Sequence, residues 1–148
     1  MIIKSINVVA KDVDAIQRIR ERRAHSTDDA FDRHMARMVD PEDKSALCLV
    51  AFHRDKPIAL LGGYYIQHTL QDYLTFEVSF VIAMEDNNPA NGFAVLGLAR
   101  AAKAESALAG AKTFRFSLYS DQIRLAQMLK KHMGMHVADV TLEVLNDG

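Results

Sequence analysis

The stretch 75–110 is the part of the sequence whose residue types and spacing could do the most specific chemistry. The run TFEVSFVIAM predicts a strand, the polar run EDNNPAN follows it, and Gly92 comes directly before an Ala- and Leu-rich helix over 93–109. The first N–H groups of a helix lack partners within the helix, and its dipole adds partial positive charge there, so such a terminus can bind an anion. Gly92 would let a ligand approach the backbone, and the small Ala94 would leave room for it. The pattern predicts a phosphate site or, since every helix has an N-terminus, a structural turn.

The remaining nucleophilic and metal-ligating residue types form weaker patterns. Cys48 lies inside the apolar run ALCLVAFH with no neighbour that would activate its thiol, which favours a buried structural residue over a nucleophile. His132 and His136 have the spacing of a metal-binding pair, but Gly134 lies between them and breaks the helix, and no third ligand is apparent. We therefore predict no metal site.

Two clusters of charge follow one another near the start of the chain, and each has two interpretations. The basic cluster is either a solvated helix end or a contact for an anion or a substrate. The acidic cluster is either a solvated surface or a recognition site. The basic residues are Arg18, Arg20, Arg22 and Arg23, and the acidic ones begin with Asp28, Asp29 and Asp32.

Length and composition bound the class of protein. The chain has 148 residues, 49% of them hydrophobic and 25% charged, which is typical of one folded domain and excludes disordered and low-complexity chains. A formal net charge of −1 gives no overall field that would attract nucleic acid or an anionic membrane. The sequence contains one cysteine, no apolar run of membrane-spanning length and no signal-peptide pattern at its start, so we expect a cytoplasmic protein.

Hydrophobic periodicity and turn residues predict the element order β-α-α-β-β-β-α-β-α-β in a single domain, 1–148. Three consecutive strands joined by short turns favour an antiparallel meander, and strand–helix–strand order later in the chain implies a parallel pair. The fold class is therefore α+β, with a mixed, mainly antiparallel sheet covered by helices. Gly62 and Gly63, inside the second strand of the meander, indicate a bulge or a close approach of two backbones. The expected strands are 2–9, 46–53, 58–67, 75–84, 113–118 and 136–145, and the expected helices are 12–23, one that begins at Ser26 or Thr27, 93–109, and one that Asp121 caps and Gly134 ends.

Three segments, PANGFAVLGLAR, FEVSFVIAM and DQIRLAQMLKKHMGM, together with this element order, resemble the GNAT superfamily of N-acetyltransferases over nearly the whole chain. The first resembles the acetyl-CoA motif Q/R-x-x-G-x-G/A at the start of a helix, with Gly92 and Ala94 at its small-residue positions. The second resembles the fourth strand of the family, which carries a catalytic glutamate in many members, and Glu77 stands at about that place. The third resembles the late helix and its L-G-F ending, with Gly134 between two methionines.

The resemblance implies a GNAT-like fold and the transfer of an acetyl group from acetyl-CoA to an amine. Glu77, directly or through a water molecule, would remove the proton from the amine, although it could equally be an ordinary strand carboxylate. Tyr119 would protonate the leaving thiolate, although water could do so and a strand-end tyrosine needs no such role. The pantetheine arm would pair with the fourth strand at Ile82, Ala83 and Met84, and the pyrophosphate would lie on the N–H groups of Asn91, Gly92, Phe93, Ala94 and Val95.

The resemblance also implies that the first two helices border the acceptor site. The acidic residues Asp28, Asp29 and Asp32 would then favour a cationic acceptor, such as a lysine side chain, a polyamine or an aminoglycoside. Tyr64 and Tyr65 point to opposite faces of their strand, so one of them would line the site.

The sequence departs from the family pattern at three positions, which keeps two other functions open. Pro89 replaces the Gln or Arg that opens the acetyl-CoA motif, Asn91 replaces a residue that is often basic, and Lys130 replaces a tyrosine. The first alternative is a catalytically inactive GNAT-fold protein that acts as a binding or assembly module. The second is an unrelated small α+β binding domain. We expect no nucleic-acid or membrane partner, and a homodimer is the oligomer that base rates favour.

Overall fold

The computed structural model describes residues 1–9, 11–22, 27–67, 70, 72–83 and 89–146. Strands and helices within this part of the chain give an α+β fold, as predicted. The elements are β1 (Ile2–Ser5), α1 (Ile6–Val9), α2 (Val13–Arg22), α3 (Asp28–Val39), β2 (Ala46–His53), β3 (Lys56–Gln67), β4 (Leu74–Ala83), α4 (Pro89–Leu108), β5 (Thr113–Phe116) and α5 (Ile123–Met133).

The strands form one sheet in the order β1-β2-β3-β4-β5. The pairs β1–β2, β2–β3 and β3–β4 are antiparallel, whereas β4 and β5, which α4 connects, are parallel. This confirms the mixed, mainly antiparallel sheet, including the meander and the parallel pair that the sequence predicts.

The sheet is the middle layer between two groups of helices, because alternate side chains of each strand point to opposite faces. On one face, Phe76 and Val78 pack with Leu98 of α4 and Leu129 of α5. On the other face, the core is completed by side chains from α1, α2 and α3, with Phe31 of α3 among them. Both faces of the strands at the centre are therefore buried.

The beginnings of the helices partly follow the prediction. Thr27 caps α3, since its Oγ1 accepts a hydrogen bond from the N–H of Ala30 at 3.2 Å. The first strand ends at Ser5 instead of Val9, because Ile6 and Val9 lie one helical turn apart and are both buried in the α1–α3 core. Helix α4 begins at Pro89 instead of residue 93. Proline suits the first position of a helix because its φ is preset and its missing N–H would have no partner there.

The prediction of a closing strand over 136–145 is wrong in this structure. Residues 134–146, which we call the C-terminal segment, form neither helix nor strand. Met135 is half-buried against the core, but the apolar side chains further along are open to solvent: Val140 is 79% exposed, Leu142 89% and Val144 85%. Asp139 pairs with Arg115 of β5, so the segment passes near the edge of the sheet. Period-two alternation indicates a surface that can pair, whereas pairing also requires the backbone of a neighbour in register.

No helix in the described part of the chain is long and apolar enough to cross a membrane.

Candidate active site

The site is built where β4 and β5 separate. β5 pairs with β4 only from Thr75 to Val78, and the last link is a hydrogen bond of 3.1 Å from the N–H of Ser117 to the carbonyl oxygen of Val78. β4 continues to Ala83, and in the described part of the chain no strand pairs with 79–83 on the side of β5. We call 79–83 the open half of β4 and 74–78 its paired half. The open half has a backbone edge that can pair with another group.

A bulge in β4 lies at the boundary between its two halves. Gly63 pairs with Val78 and Gly62 pairs with Phe80, so Ser79 has no residue opposite it in β3. A Cβ atom on Gly63 would lie 2.1 Å from the carbonyl oxygen of Glu77, and one on Gly62 would lie 2.5 Å from the ring of Phe80. Only glycine allows so close an approach, which confirms the prediction made from these two glycines.

A cavity of about 690 Å³ lies between α3, the open half of β4 and the chain that follows β5. This volume is within the usual range for small-molecule sites. Most of its lining is apolar, and no Asp, Glu, Lys or Arg is among the described residues that line it. The lining residues are Thr27, Ala30, Phe31 and His34 from α3, Val78, Ser79, Phe80, Val81 and Ile82 from β4, and Phe116, Ser117, Leu118, Tyr119 and Gln122 from β5 and beyond.

Two of the residues predicted to bind or react, Ile82 and Tyr119, line this cavity. Ala83 follows Ile82 in the open half of β4, and Met84 lies outside the described residues. Tyr119 lies in the loop before α5, where its N–H donates a hydrogen bond of 2.8 Å to Oε1 of Gln122. The structure therefore brings the strand predicted to pair with the pantetheine arm and the predicted proton donor to the same cavity.

Glu77 lies beside the cavity and does not line it. Its Oε1 accepts a hydrogen bond of 3.0 Å from Oγ of Ser117, which does line the cavity. Across the sheet, Glu77 is level with Tyr64 of β3 and Arg115 of β5. The carboxylate is therefore connected to the cavity through one hydroxyl group.

Helix α4 begins earlier than the sequence predicts, and this changes which N–H groups are free to hold a pyrophosphate. Because the helix begins at Pro89, Asn91 and Gly92 lie in its first turn, whereas the three residues that follow them lie in the second. Backbone N–H groups of a second turn bond within the helix. Phe93 is exposed, and Ala94 and Val95 are buried in the core. A Cβ atom on Gly92 would meet nothing within 4 Å, so the backbone there is open to a ligand.

Sequence analysis missed His34, a cavity-lining residue that a chain of contacts through Tyr64 and Arg37 holds in place. Nδ1 of His34 is hydrogen-bonded to the hydroxyl of Tyr64, and burial raises the pKa of that tyrosine. The guanidinium of Arg37 lies 4.6 Å from the centre of the Tyr64 ring and donates to Oδ2 of Asp43 at 3.2 Å and to Oγ of Ser45 at 2.7 Å. Hydrogen bonds from Ser45 hold the pKa of the Asp43 carboxyl below its usual range.

The position of His34 in α3 could have been a signal. It lies three residues after Phe31 and next to Met35, which are both buried on the inner face of that helix. A polar residue at the margin of an apolar helical face is well placed to line a cavity beside the core. Its partner in β3, however, is 30 residues away in the sequence.

The acidic residues of α3 are engaged outside the cavity. Asp28 and Asp32 both pair with Arg20 of α2, with N–O distances of 3.4 and 3.1 Å. Neither they nor Asp29 is among the residues that line the cavity. Their charges are thus placed to hold α2 against α3.

The candidate nucleophile Cys48 and the candidate metal ligands have surroundings that do not favour those roles. Cys48 is fully buried in β2, and burial raises the pKa of its thiol, which disfavours the nucleophilic thiolate. Among the residues that the structure describes, no group of three or more His, Cys, Asp and Glu side chains could hold a metal ion.

No protein-family model matches the chain, and no curated protein is similar to it in sequence. Its fold, in contrast, is similar to several solved structures over almost their full length. The aminoglycoside 6'-N-acetyltransferase AAC(6')-Ig from Acinetobacter haemolyticus superposes with a TM-score of 0.72 at 14% identity, covering 99% of each chain. A probable acetyltransferase gives a TM-score of 0.69 at 16% identity, covering 99% of this chain and 100% of that one. A transcriptional regulator from Bacillus halodurans gives 0.69 at 13%, covering 98% and 99%. The chain therefore has the α+β fold of these structures, two of which are an acetyltransferase and a probable acetyltransferase.

Proposed function

We propose that this protein transfers an acetyl group from acetyl-CoA to an amine, and that the thioester binds in the gap between β4 and β5. The observation that carries the proposal is the open half of β4, an unpaired strand edge beside a cavity of about 690 Å³. The fold, which this chain has in common with an aminoglycoside acetyltransferase and a probable acetyltransferase, favours this use of the gap.

Acetyl-CoA carries groups that match an open strand edge and a helix N-terminus. The pantetheine arm contains amide groups, which can hydrogen-bond to a free strand edge as an added strand does. Ile82 and Ala83 offer that edge, and Met84 continues it in the sequence. The first turn of α4 would hold the pyrophosphate through the N–H of Asn91 and the helix dipole, and Gly92 would let the ligand approach the backbone.

The chemistry requires that a bond form between the amine nitrogen and the acetyl carbon while the carbon–sulfur bond breaks. Backbone N–H groups near the bulged Ser79 would stabilise the oxyanion that develops on the acetyl oxygen. Tyr119 would donate a proton to the departing sulfur. Glu77 could remove the amine proton through Ser117 or a bound water, since its carboxylate is one hydrogen bond away from the cavity.

A calorimetric titration with acetyl-CoA, with CoA alongside, tests the proposal. We expect binding in the micromolar range. Gly92→Glu should weaken it at least about tenfold, because the new carboxylate would repel the pyrophosphate. Gly92→Ala is the matched control: its methyl group has open space, so the affinity should change by no more than about threefold, a small free-energy difference.

Absence of binding at millimolar acetyl-CoA would overturn the proposal and favour the alternative of a GNAT-fold binding module. The first turn of α4 gives that alternative a specific basis, since Pro89 supplies no N–H group there. Equal affinities for the Gly92→Glu variant and the unchanged protein would instead remove α4 from the site.

A further inference from the structure

We infer that His34 accepts the proton of the acceptor amine, and that this acceptor is a primary amine on an apolar body instead of a polycation. The inference rests on the proposed acetyl transfer and identifies the acceptor half of the same cavity. Three independent features carry it: the charge of the lining, its apolar surface and the hydrogen bond of His34.

None of the described residues that line the cavity carries a negative charge that would balance a polycation. The nearby carboxylates of Asp28 and Asp32 lie outside the cavity and are paired with Arg20. Asp43 is likewise paired with Arg37. The carboxylate of Glu77 reaches the cavity only through Ser117, so the several ammonium groups of a polyamine or an aminoglycoside would find at most this one carboxylate among the described residues, and unpaired buried charge is strongly unfavourable. A ligand with one amine avoids this cost, because its nitrogen is neutral when it reacts.

Apolar side chains approach the cavity from all three of its walls. Phe31 comes from α3, Phe80 from the open half of β4, and Phe116 from the end of β5. Neighbouring Ile82 and Leu118 extend this surface. An aromatic or aliphatic body placed among them would bury apolar surface on every side, which is the main source of affinity for such a ligand.

His34 is held in one orientation by its partner. Its ring lies 5.6 Å from that of Tyr64, centre to centre, and Nδ1 contacts the Tyr64 hydroxyl. Tyr64 is itself fixed by the guanidinium of Arg37 over its ring, and Arg37 is tied to Asp43. When Nδ1–H donates to the Tyr64 oxygen, Nε2 is the nitrogen that can accept a proton. His34 would thus touch the substrate, and Tyr64 is a positioning residue.

The proton balance closes with groups that are already at the cavity. The lone pair of the neutral amine attacks the acetyl carbon, and Nε2 of His34 takes the one excess proton from the nitrogen as the carbon–nitrogen bond forms. The tetrahedral intermediate breaks its carbon–sulfur bond, and Tyr119 or water protonates the CoA thiolate. His34 returns its proton to solvent through the open side of the cavity. The alternative route for the amine proton is Glu77 through Ser117, and the two bases predict different variants to fail.

The experiment measures acetyl-CoA-dependent release of CoA with 2-phenylethylamine, hexylamine, spermidine and kanamycin. We expect kcat/KM to be at least about tenfold higher for the first two amines than for the polycations, a modest difference in binding of the transition state. A preference for spermidine or kanamycin would overturn the acceptor class. So would binding of acetyl-CoA without acetylation of any of the four amines. Failure of acetyl-CoA to bind is a different result, since it refutes the proposed function itself.

The variant His34→Gln tests the role of His34. Because His34 is exposed on α3, this variant should fold. We expect kcat to fall at least about 100-fold, the usual contribution of a general base, while the KM for acetyl-CoA stays within about twofold. Added imidazole should restore part of the rate of His34→Ala, which a merely structural role would not allow. Tyr64→Phe should lower kcat less, without rescue by imidazole.

Arg33→Gln, on the same helix but outside the cavity lining, is the matched control and should keep full activity. A His34→Gln rate equal to that of the unchanged protein, with loss in Glu77→Gln, would assign the base to Glu77.

Discussion

The two halves of β4 belong to one continuous strand but have different neighbours. The paired half lies between β3 and β5, and its Thr75, Phe76 and Val78 are fully buried. Among the strands that the structure describes, β3 alone pairs with the open half, and most residues of the open half line the cavity. The bulge at Ser79 separates the two halves. The paired half stabilises the sheet, and the open half exposes a backbone edge in the middle of the molecule.

An exposed strand edge is normally protected, because unpaired N–H and C=O groups invite pairing with other chains. The open half of β4 lines a cavity between α3 and the chain after β5. A strand edge beside a cavity of this size suits a ligand with amide groups. The contrast between the two halves therefore leads to the proposed use of the gap.

The largest effect is expected at the bulge, where both halves meet. Gly63→Ala places a methyl group 2.1 Å from the carbonyl oxygen of Glu77, a backbone atom that cannot move without disturbing the paired half. We expect a loss of more than about 3 kcal/mol in the free energy of unfolding, seen in chemical denaturation or as insoluble protein.

Gly92→Ala supplies the control for the same substitution where a methyl group has open space. Its stability should be unchanged or slightly higher, since alanine is the better helix former. A Gly63→Ala protein as stable as this control would mean that β3 and β4 are not in such close contact.

The second effect separates the two halves by function. Ser117 lies where β5 leaves β4 and is exposed, so Ser117→Trp would fill the mouth of the gap while leaving the paired half intact. We expect acetyl-CoA affinity to fall at least about tenfold, or about 1.4 kcal/mol, with a melting temperature close to that of the unchanged protein. Calorimetry and thermal unfolding measure the two quantities.

Ser117→Ala is the matched control, because it removes only the hydroxyl that donates to Glu77. It should bind acetyl-CoA with nearly unchanged affinity. Undiminished binding by Ser117→Trp would show that the ligand does not enter between β4 and β5.

The paired half was more accessible to sequence reasoning than the cavity. Alternation and short turns predicted the strands of the meander, and Gly62 and Gly63 predicted the close approach beside the bulge. The resemblance to acetyltransferases pointed to the strand that contains Ile82 and to Tyr119, and both line the cavity. Local patterns suffice for the meander and its bulge because these depend on residues close together in the chain, whereas Ile82 and Tyr119 are far apart in the chain and were identified through the resemblance.

The sequence could not predict contacts that join distant segments. The bond between His34 and Tyr64 spans 30 residues, and nothing local to either residue indicates the other. The same holds for Arg20, whose pairing with Asp32 spans 12 residues and which also pairs with Asp28, so that two residues of the acidic cluster already have a cationic partner. Pro89 is a local signal for the start of α4, but the prediction took Gly92 as the residue before the helix and therefore began the helix too late.

A smaller effect tests how the paired half is held together. The hydroxyl oxygens of Thr75 and Thr113 are 2.6 Å apart across β4 and β5, and Thr75 is fully buried. Thr75→Val leaves the other hydroxyl without this partner, so we expect a loss of about 1–2 kcal/mol in chemical denaturation. The double variant with Thr113→Val should recover much of that loss, because both polar groups are then gone. Losses that simply add would contradict a direct hydrogen bond between the two side chains.

The smallest effect is expected in the C-terminal segment, the other stretch of the chain that passes the edge of β5. Val140 and Leu142 are exposed, so replacing both with threonine should change the free energy of unfolding by less than about 0.5 kcal/mol, as is usual for surface sites. Leu129→Ala in α5 is the buried comparison and should cost about 2–5 kcal/mol.

Thermal unfolding at two protein concentrations tenfold apart distinguishes two other arrangements of the C-terminal segment. A loss above 1 kcal/mol (about twice the expected limit) at both concentrations would mean that the segment pairs with β5 of its own sheet, as its alternation predicts. A loss that appears only at the higher concentration would mean that these side chains are buried against a second copy of the chain.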